Sequence, residues 1–149
     1  MTTSFEAMRK SALEIEARDI NIQLSNDKQV YASIVDMRIK KTIATLTCMF
    51  DGTVSILYSN GRMDIGLGSN PNIKKAAMTF LLNAGQCLSY LETTNNYDIS
   101  YDMDMVVYLK AMNGTYIASI DPNNPKNKVD GLLNLLIQKV LSEVKQAQI

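Results

Sequence analysis

Three dipeptides constrain this chain more than any other feature: Asp51-Gly52, Asn60-Gly61 and Asn113-Gly114. Each stands beside runs whose apolar residues recur at every second position. Asp-Gly and Asn-Gly in that setting signal a β-hairpin with a type I′ turn, because both central positions of that turn need φ > 0. Ahead of the first turn, Thr42, Ala44, Leu46, Cys48 and Phe50 face one way and Ile43, Thr45, Thr47 and Met49 the other. Thr53 to Tyr58 is the return strand, and Arg62 to Leu67 follows the second turn. Val30 to Ile39 is apolar on both faces, which predicts a strand in mid-sheet. Ile99, Tyr101, Met103, Met105, Val107 and Leu109 alternate ahead of the third turn, with Thr115 to Ile120 behind it. Hairpins join antiparallel neighbours, so the pattern is not that of a parallel βαβ sheet.

Helical spacing brackets these strands. Thr3-x-x-Glu6 reads as a capping box, and Phe5, Met8, Ala12 and Ile15 share one face of a helix reaching about Arg18 or Asp19. Residues 20–24 read equally well as a short strand or a helix end. Asn70 as N-cap with Pro71 at the first helical position opens a central helix. Its stripe is Ile73, Ala77, Phe80, Leu81, Ala84, Leu88 and Leu91, widened by Met78 and Leu82. Asp130 is expected to cap a last helix bearing Leu132, Leu133, Leu136, Ile137, Val140, Leu141 and Val144. The expectation is one α+β domain over residues 1–149. It has an antiparallel sheet of five to six hairpin-linked strands and about three helices, in the order α-β-β-β-(β)-α-β-β-α.

Composition narrows the chemistry. There is no histidine, which removes Ser-His-Asp and Cys-His catalysis and His-ligated metal. Lys+Arg and Asp+Glu are both 15, so no net field favours nucleic acid or an anionic membrane, and neither is expected as a partner. Cys48 and Cys87 lie in apolar stretches without metal-type spacing and read as buried small hydrophobes. Residues 1–6 lack the pattern of a signal peptide. The most apolar helical run, Ala76 to Leu91, contains Thr79, Asn83, Gly85, Gln86 and Ser89 and falls short of a membrane span. A cytoplasmic location is expected.

Four patterns are candidate sites. Gly66, Gly68, Ser69, Asn70 and Asn72, followed by Lys74 and Lys75, form a glycine-bearing strand-to-helix loop at which a small anion could meet backbone amides and two cations. It fits neither a dinucleotide loop nor a P-loop. Asp98, Ser100, Asp102 and Asp104 space their side chains like the start of a calcium loop, but Met103 and Leu109 stand where glycine and glutamate belong. Ser25-x-x-Lys28 matches a serine-lysine pattern without its companion motifs. Arg38, Lys40 and Lys41 form a basic hairpin tip too small for a nucleic-acid footprint. No catalytic residue, cofactor or metal site is assigned.

The element order, with Asp51-Gly52, Asn60-Gly61, the helix opening at Asn70-Pro71 and the hairpin at Asn113-Gly114, resembles two groups of small modules. One is the roadblock/longin type of profilin-like domain, which implies a dimeric scaffold. The other is the secretion-chaperone type, which implies a dimer holding extended client segments. Secretion chaperones are acidic, so the net charge of zero fits the first better. The expected function is therefore a non-catalytic, cytoplasmic protein-interaction module that forms a homodimer and binds another protein. Excess apolar residues on the last helix nominate Val140, Leu141 and Val144 as the dimer or partner surface. The alternatives are a binder of anionic small molecules at Gly66 to Lys75 and a chaperone-like client binder.

Overall fold

The period-two runs pair as their turns dictate. A computed structural model describes residues 3–148, with side chains described from Phe5 onward. Strands β1 (Ala32–Ile39), β2 (Thr42–Met49), β3 (Val54–Tyr58) and β4 (Met63–Asp64) form a meander. After the central helix come β5 (Glu92–Thr93), β6 (Met105–Ala111) and β7 (Gly114–Ile120). All pairs are antiparallel in the order β4-β3-β2-β1-β6-β7-β5. β1 sits in mid-sheet as its two apolar faces required, bonded to β2 and to β6, with Val35 opposite both Leu46 and Val107. The expected strand over Arg62 to Leu67 is shortened to the two residues of β4, and the strand beyond the expected six is two-residue β5 at the other edge. Edges this short offer little unpaired backbone to a neighbouring chain.

Three helices cover the sheet. On one face, α2 (Pro71–Ala84) and α3 (Lys128–Ala147) bury Ile73, Phe80, Leu81, Leu133, Ile137, Val140 and Val144 against Val35, Leu46, Ile56, Val107 and Leu109. On the other, α1 (Thr3–Glu14) brings Phe5 to Ile43 and Leu57, and Leu13 to Tyr31, Ile34 and Tyr108. Here the cover is laced with polar groups. Arg9 Nε and Nη2 donate to the Asp36 carboxylate at 3.0 and 2.6 Å, and Thr45 donates to the same carboxylate at 2.7 Å. Burial alone would lower the Arg9 pKa, but the hydrogen bonds and charge of Asp36 offset it and leave it raised. Lys110 Nζ donates to the Leu13 carbonyl at 2.6 Å, satisfying one orphan acceptor at the end of α1.

Several local expectations change. The Asp51-Gly52 loop has three residues, not two: Gly52 N donates to Met49 O at 3.0 Å and Met49 N to Thr53 O at 2.9 Å. Gly52 has φ +93° while Asp51 stays at negative φ, so this is a three-residue loop with one left-handed glycine. Asn60-Gly61 repeats it, with Gly61 N to Tyr58 O at 3.0 Å and Gly61 at φ +96°. In the third hairpin Ala111 pairs with Gly114, so the loop is Met112-Asn113 and Gly114 begins β7. Helix α1 stops at Glu14. Residues 17–20 form a 3-10 turn in which Glu16 N donates to Asp19 Oδ2 at 2.8 Å, and residues 22–24 are neither strand nor helix. Capping by Thr3 lies outside the described side chains.

The alternation from Ile99 did not make a strand before Met105. β7 ends at Ile120 ahead of Asp121-Pro122, so the ladder on that side has no partner to continue. Helix α2 ends at Ala84 rather than Leu91 and tightens into a 3-10 turn over Gly85–Tyr90, and Leu82 points to solvent instead of widening the stripe. The cap of α3 is Asn127, whose side chain accepts from Asp130 N at 2.8 Å, so Asp130 lies in the first turn. No helix among the described residues is long and apolar enough to cross a membrane.

Candidate functional site, a cleft between the end of α2 and the start of α3

Gly85 sets the geometry. A Cβ there would stand 2.1 Å from the Lys28 carbonyl oxygen, so only glycine lets the end of α2 touch the segment leading into β1. Beyond it the 3-10 turn carries Cys87 and Leu88 inward and leaves Tyr90 75% exposed. The first turn of α3 runs alongside. Between the two lies a cleft of about 580 Å³ walled by the apolar Cys87, Tyr90, Leu91, Val129 and Leu132 and by the polar Gln86, Asn127, Lys128 and Asp130. That volume lies within the usual range of ligand pockets, and the wall mixes apolar and polar side chains.

Two charged groups of opposite sign, Asp130 and Lys128, stand in that wall. Asp130 is 8% exposed as a residue, and its carboxylate forms no ion pair among the described residues, but its oxygens are open to solvent, since no buried side-chain oxygen there lacks a partner. Desolvation raises the Asp130 pKa above the ordinary carboxyl value, and the nearby Lys126 charge opposes that rise. Across the cleft, the Cys87 thiol is pushed up by burial and by the Asp130 charge, which keeps it protonated and a poor nucleophile at neutral pH. The cleft therefore presents apolar surface, a protonated thiol and a mixed polar rim of Gln86, Asn127, Lys128 and Asp130.

The predicted anion loop is organised for structure. Asn70 Oδ1 accepts from Asn72 N at 2.9 Å and Ile73 N at 3.2 Å, and Pro71 has no N–H, so the first amides of α2 are already spent. Gly68 packs backbone on backbone, since a Cβ would stand 1.9 Å from the Gly52 carbonyl oxygen. Gly66 takes φ +77° and its carbonyl accepts from Ser69 Oγ at 2.9 Å. Lys74 lies over Gly52, and Lys75 is exposed. The nominated dimer surface is corrected outright: Val140 and Val144 are core residues under α3 and Leu141 is partly buried against them, because the sheet already uses that apolar stripe.

The other patterns disperse. Asp104 pairs with Arg38 at 2.7 Å, and Arg38 also donates to the Tyr101 carbonyl at 2.8 Å. No group of three or more potential metal ligands occurs among the described residues. Ser25 N bonds Gln29 at 2.9 Å rather than engaging Lys28. Lys40 and Lys41 gain a neighbour that sequence order hid: Arg62, lying over the Tyr58 ring at 4.9 Å, borders the same hollow. The cleft itself escaped notice because Cys87 and Asp130 belong to segments far apart in sequence, and Asp130 read as the cap of the last helix. No family model, curated protein or solved structure matches the chain.

Proposed function

We propose that the chain is a non-catalytic protein-interaction module of the cytoplasm, and that the cleft between α2 and α3 is where it engages its partner. The observation that carries this is the exposed Tyr90 ring at the rim of a pocket-sized cleft with apolar and polar walls. Aromatic rings beside a desolvated pocket are the usual anchors of protein interfaces. Leu82 and Leu135, 66% and 68% exposed on the same helical layer, add apolar surface on which a second copy could associate. Self-association uses these side chains and not the stripe of Val140 and Val144, which the core already holds.

Native mass spectrometry of the gently purified chain, followed by affinity capture with the native protein and with Tyr90→Ser, tests this reading. The expected result is a bare protein mass, as monomer or dimer, and a captured partner that Tyr90→Ser loses while its Tm stays within a degree or so of the parent. A reproducible non-protein mass released by Tyr90→Ser would overturn the reading in favour of a small-molecule binder, which the cleft volume also fits.

A further inference from the structure

Each hairpin of the sheet holds one residue at positive φ, and three of them use glycine there, at Gly52, Gly61 and Gly114. The β1–β2 turn uses Lys40 at φ +57°, a left-handed conformation that a Cβ opposes. A cation is thus kept at the one tip where glycine would suit the backbone better. Strain held at an exposed position marks a side chain retained for something other than the fold. Lys40 also has company. Lys41 follows it, and Arg62 from the β3–β4 turn borders the same hollow of about 510 Å³, with Ile39 and Tyr58 between them. Three cations and no carboxylate line that hollow. The acids close by are engaged elsewhere: Arg38 holds Asp104 at 2.7 Å, and Asp64 accepts from the Tyr58 hydroxyl at 3.2 Å and reaches Arg62 only at 3.4 Å. Lys40 and Lys41 form no ion pair among the described residues. Arg62 lies over the Tyr58 ring at 4.9 Å, which restrains its guanidinium beside the hollow.

We propose that this end of the sheet docks an acidic segment of a partner polypeptide, its carboxylates meeting Lys40, Lys41 and Arg62 and an adjoining apolar side chain resting on Ile39. Ile39 is 52% exposed beside the cations, a contact that a bare inorganic anion would not use. Three cations fall short of the footprint that a nucleic acid or an anionic membrane requires. The hollow follows the last residue of β1, whereas the cleft lies where Gly85 abuts Lys28 ahead of the first. The proposal therefore stands apart from the reading of the cleft and adds a second contact surface.

The test is a titration of the ¹⁵N-labelled full chain, followed by NMR, with an acetylated and amidated tetrapeptide Leu-Glu-Glu-Leu and with its Leu-Gln-Gln-Leu counterpart. The glutamate peptide is expected to move the amide signals of residues 39–42 and 60–62. At low salt it should bind about fivefold tighter than the glutamine peptide, as two exposed ion pairs allow, and about 0.5 M salt should remove most of that difference. Lys40→Gly should weaken the glutamate peptide about two- to threefold while unfolding at the same or a higher urea concentration, so its loss of binding is not a loss of fold. Equal binding of the two peptides, shifts confined to other residues, or no shift from either overturns the proposal. So does undiminished binding of the glutamate peptide by Lys40→Gly. Inorganic phosphate moving the same signals at as low a concentration as the peptide overturns the choice of a polypeptide. Co-sedimentation with phosphatidylserine vesicles that Lys40→Gly abolishes overturns it in favour of a membrane surface. None of these outcomes touches the cleft, which the Tyr90→Ser capture decides separately.

Discussion

From the same strands, two unlike surfaces rise. Toward α2 and α3, Val35, Leu46, Val107 and Leu109 meet Phe80, Leu133 and Ile137 in aliphatic and aromatic contact. Toward α1, Asp36, Thr45, Tyr108 and Lys110 meet Arg9 and the carbonyl of Leu13, with Tyr97 edge-on to Tyr108 at 5.7 Å between ring centres. The first surface tolerates any arrangement that fills its volume. The second has directional partners, so a twelve-residue helix with little area of its own is held in one position. Apolar burial supplies stability on one side, and matched polar groups supply registration on the other.

The contrast can be broken most severely at Val140. Val140→Asp puts an unpaired charge into the apolar side, and the chain is expected to be unfolded at 25 °C, seen as loss of the near-ultraviolet circular dichroism of its tyrosines. A variant that still unfolds cooperatively would mean that side is less closed than its burial shows. Next in size is Asp36→Ala, which strands Arg9 and removes the acceptor of Thr45. Urea unfolding should show a loss of about 3–5 kcal/mol. Replacing both partners with Arg9→Met and Asp36→Leu should recover most of it, because the pair's value lies in placing α1 and not in net energy. A double variant as unstable as the single would show that the ion pair itself is the stabilising term.

A milder probe separates core from cleft by thiol chemistry. Burial pushes the Cys48 thiol up to about 12, so at pH 8 a disulfide reagent should reach it only on global unfolding. Cys87, on the cleft wall, should react first and faster. Simultaneous release of both would show that the cleft does not open separately. The smallest expected change is Lys40→Gly at the β1–β2 turn. Lys40 holds φ +57°, a left-handed conformation that glycine adopts freely, so the substitution should raise stability by about 0.5–1 kcal/mol in urea titration.

What could be read from the sequence follows the range of each signal. The meander was legible because Asp51-Gly52 and Asn60-Gly61 lie beside the strands they join, and so was the cap at Asn70, whose hydrogen bonds stay within three residues. Loop length was not, since the same dipeptides serve two- and three-residue hairpins and only the pairing of Met49 with Thr53 decides. The late start of β6 depends on Pro122, which ends its partner strand beyond the next turn. Core and surface on α3 were confused at Val140 and Val144 because a wide apolar stripe does not say how many neighbours share it. The sequence marked Asp130 only as a helix cap, a role that Asn127 holds instead.

The place of β1 bears on how the chain folds. Its hydrogen bonds to β2 close over a two-residue turn, so that half of the sheet can form as soon as the first hairpin does. Those to β6 join Ala32 to Lys110 and must wait for β2, β3 and α2 to be gathered between them. Loop closure over that distance carries an entropy that local pairing avoids, so the step that unites the two halves limits the rate. Until it is taken, Val106, Val107 and Tyr108 have no strand on their β1 side.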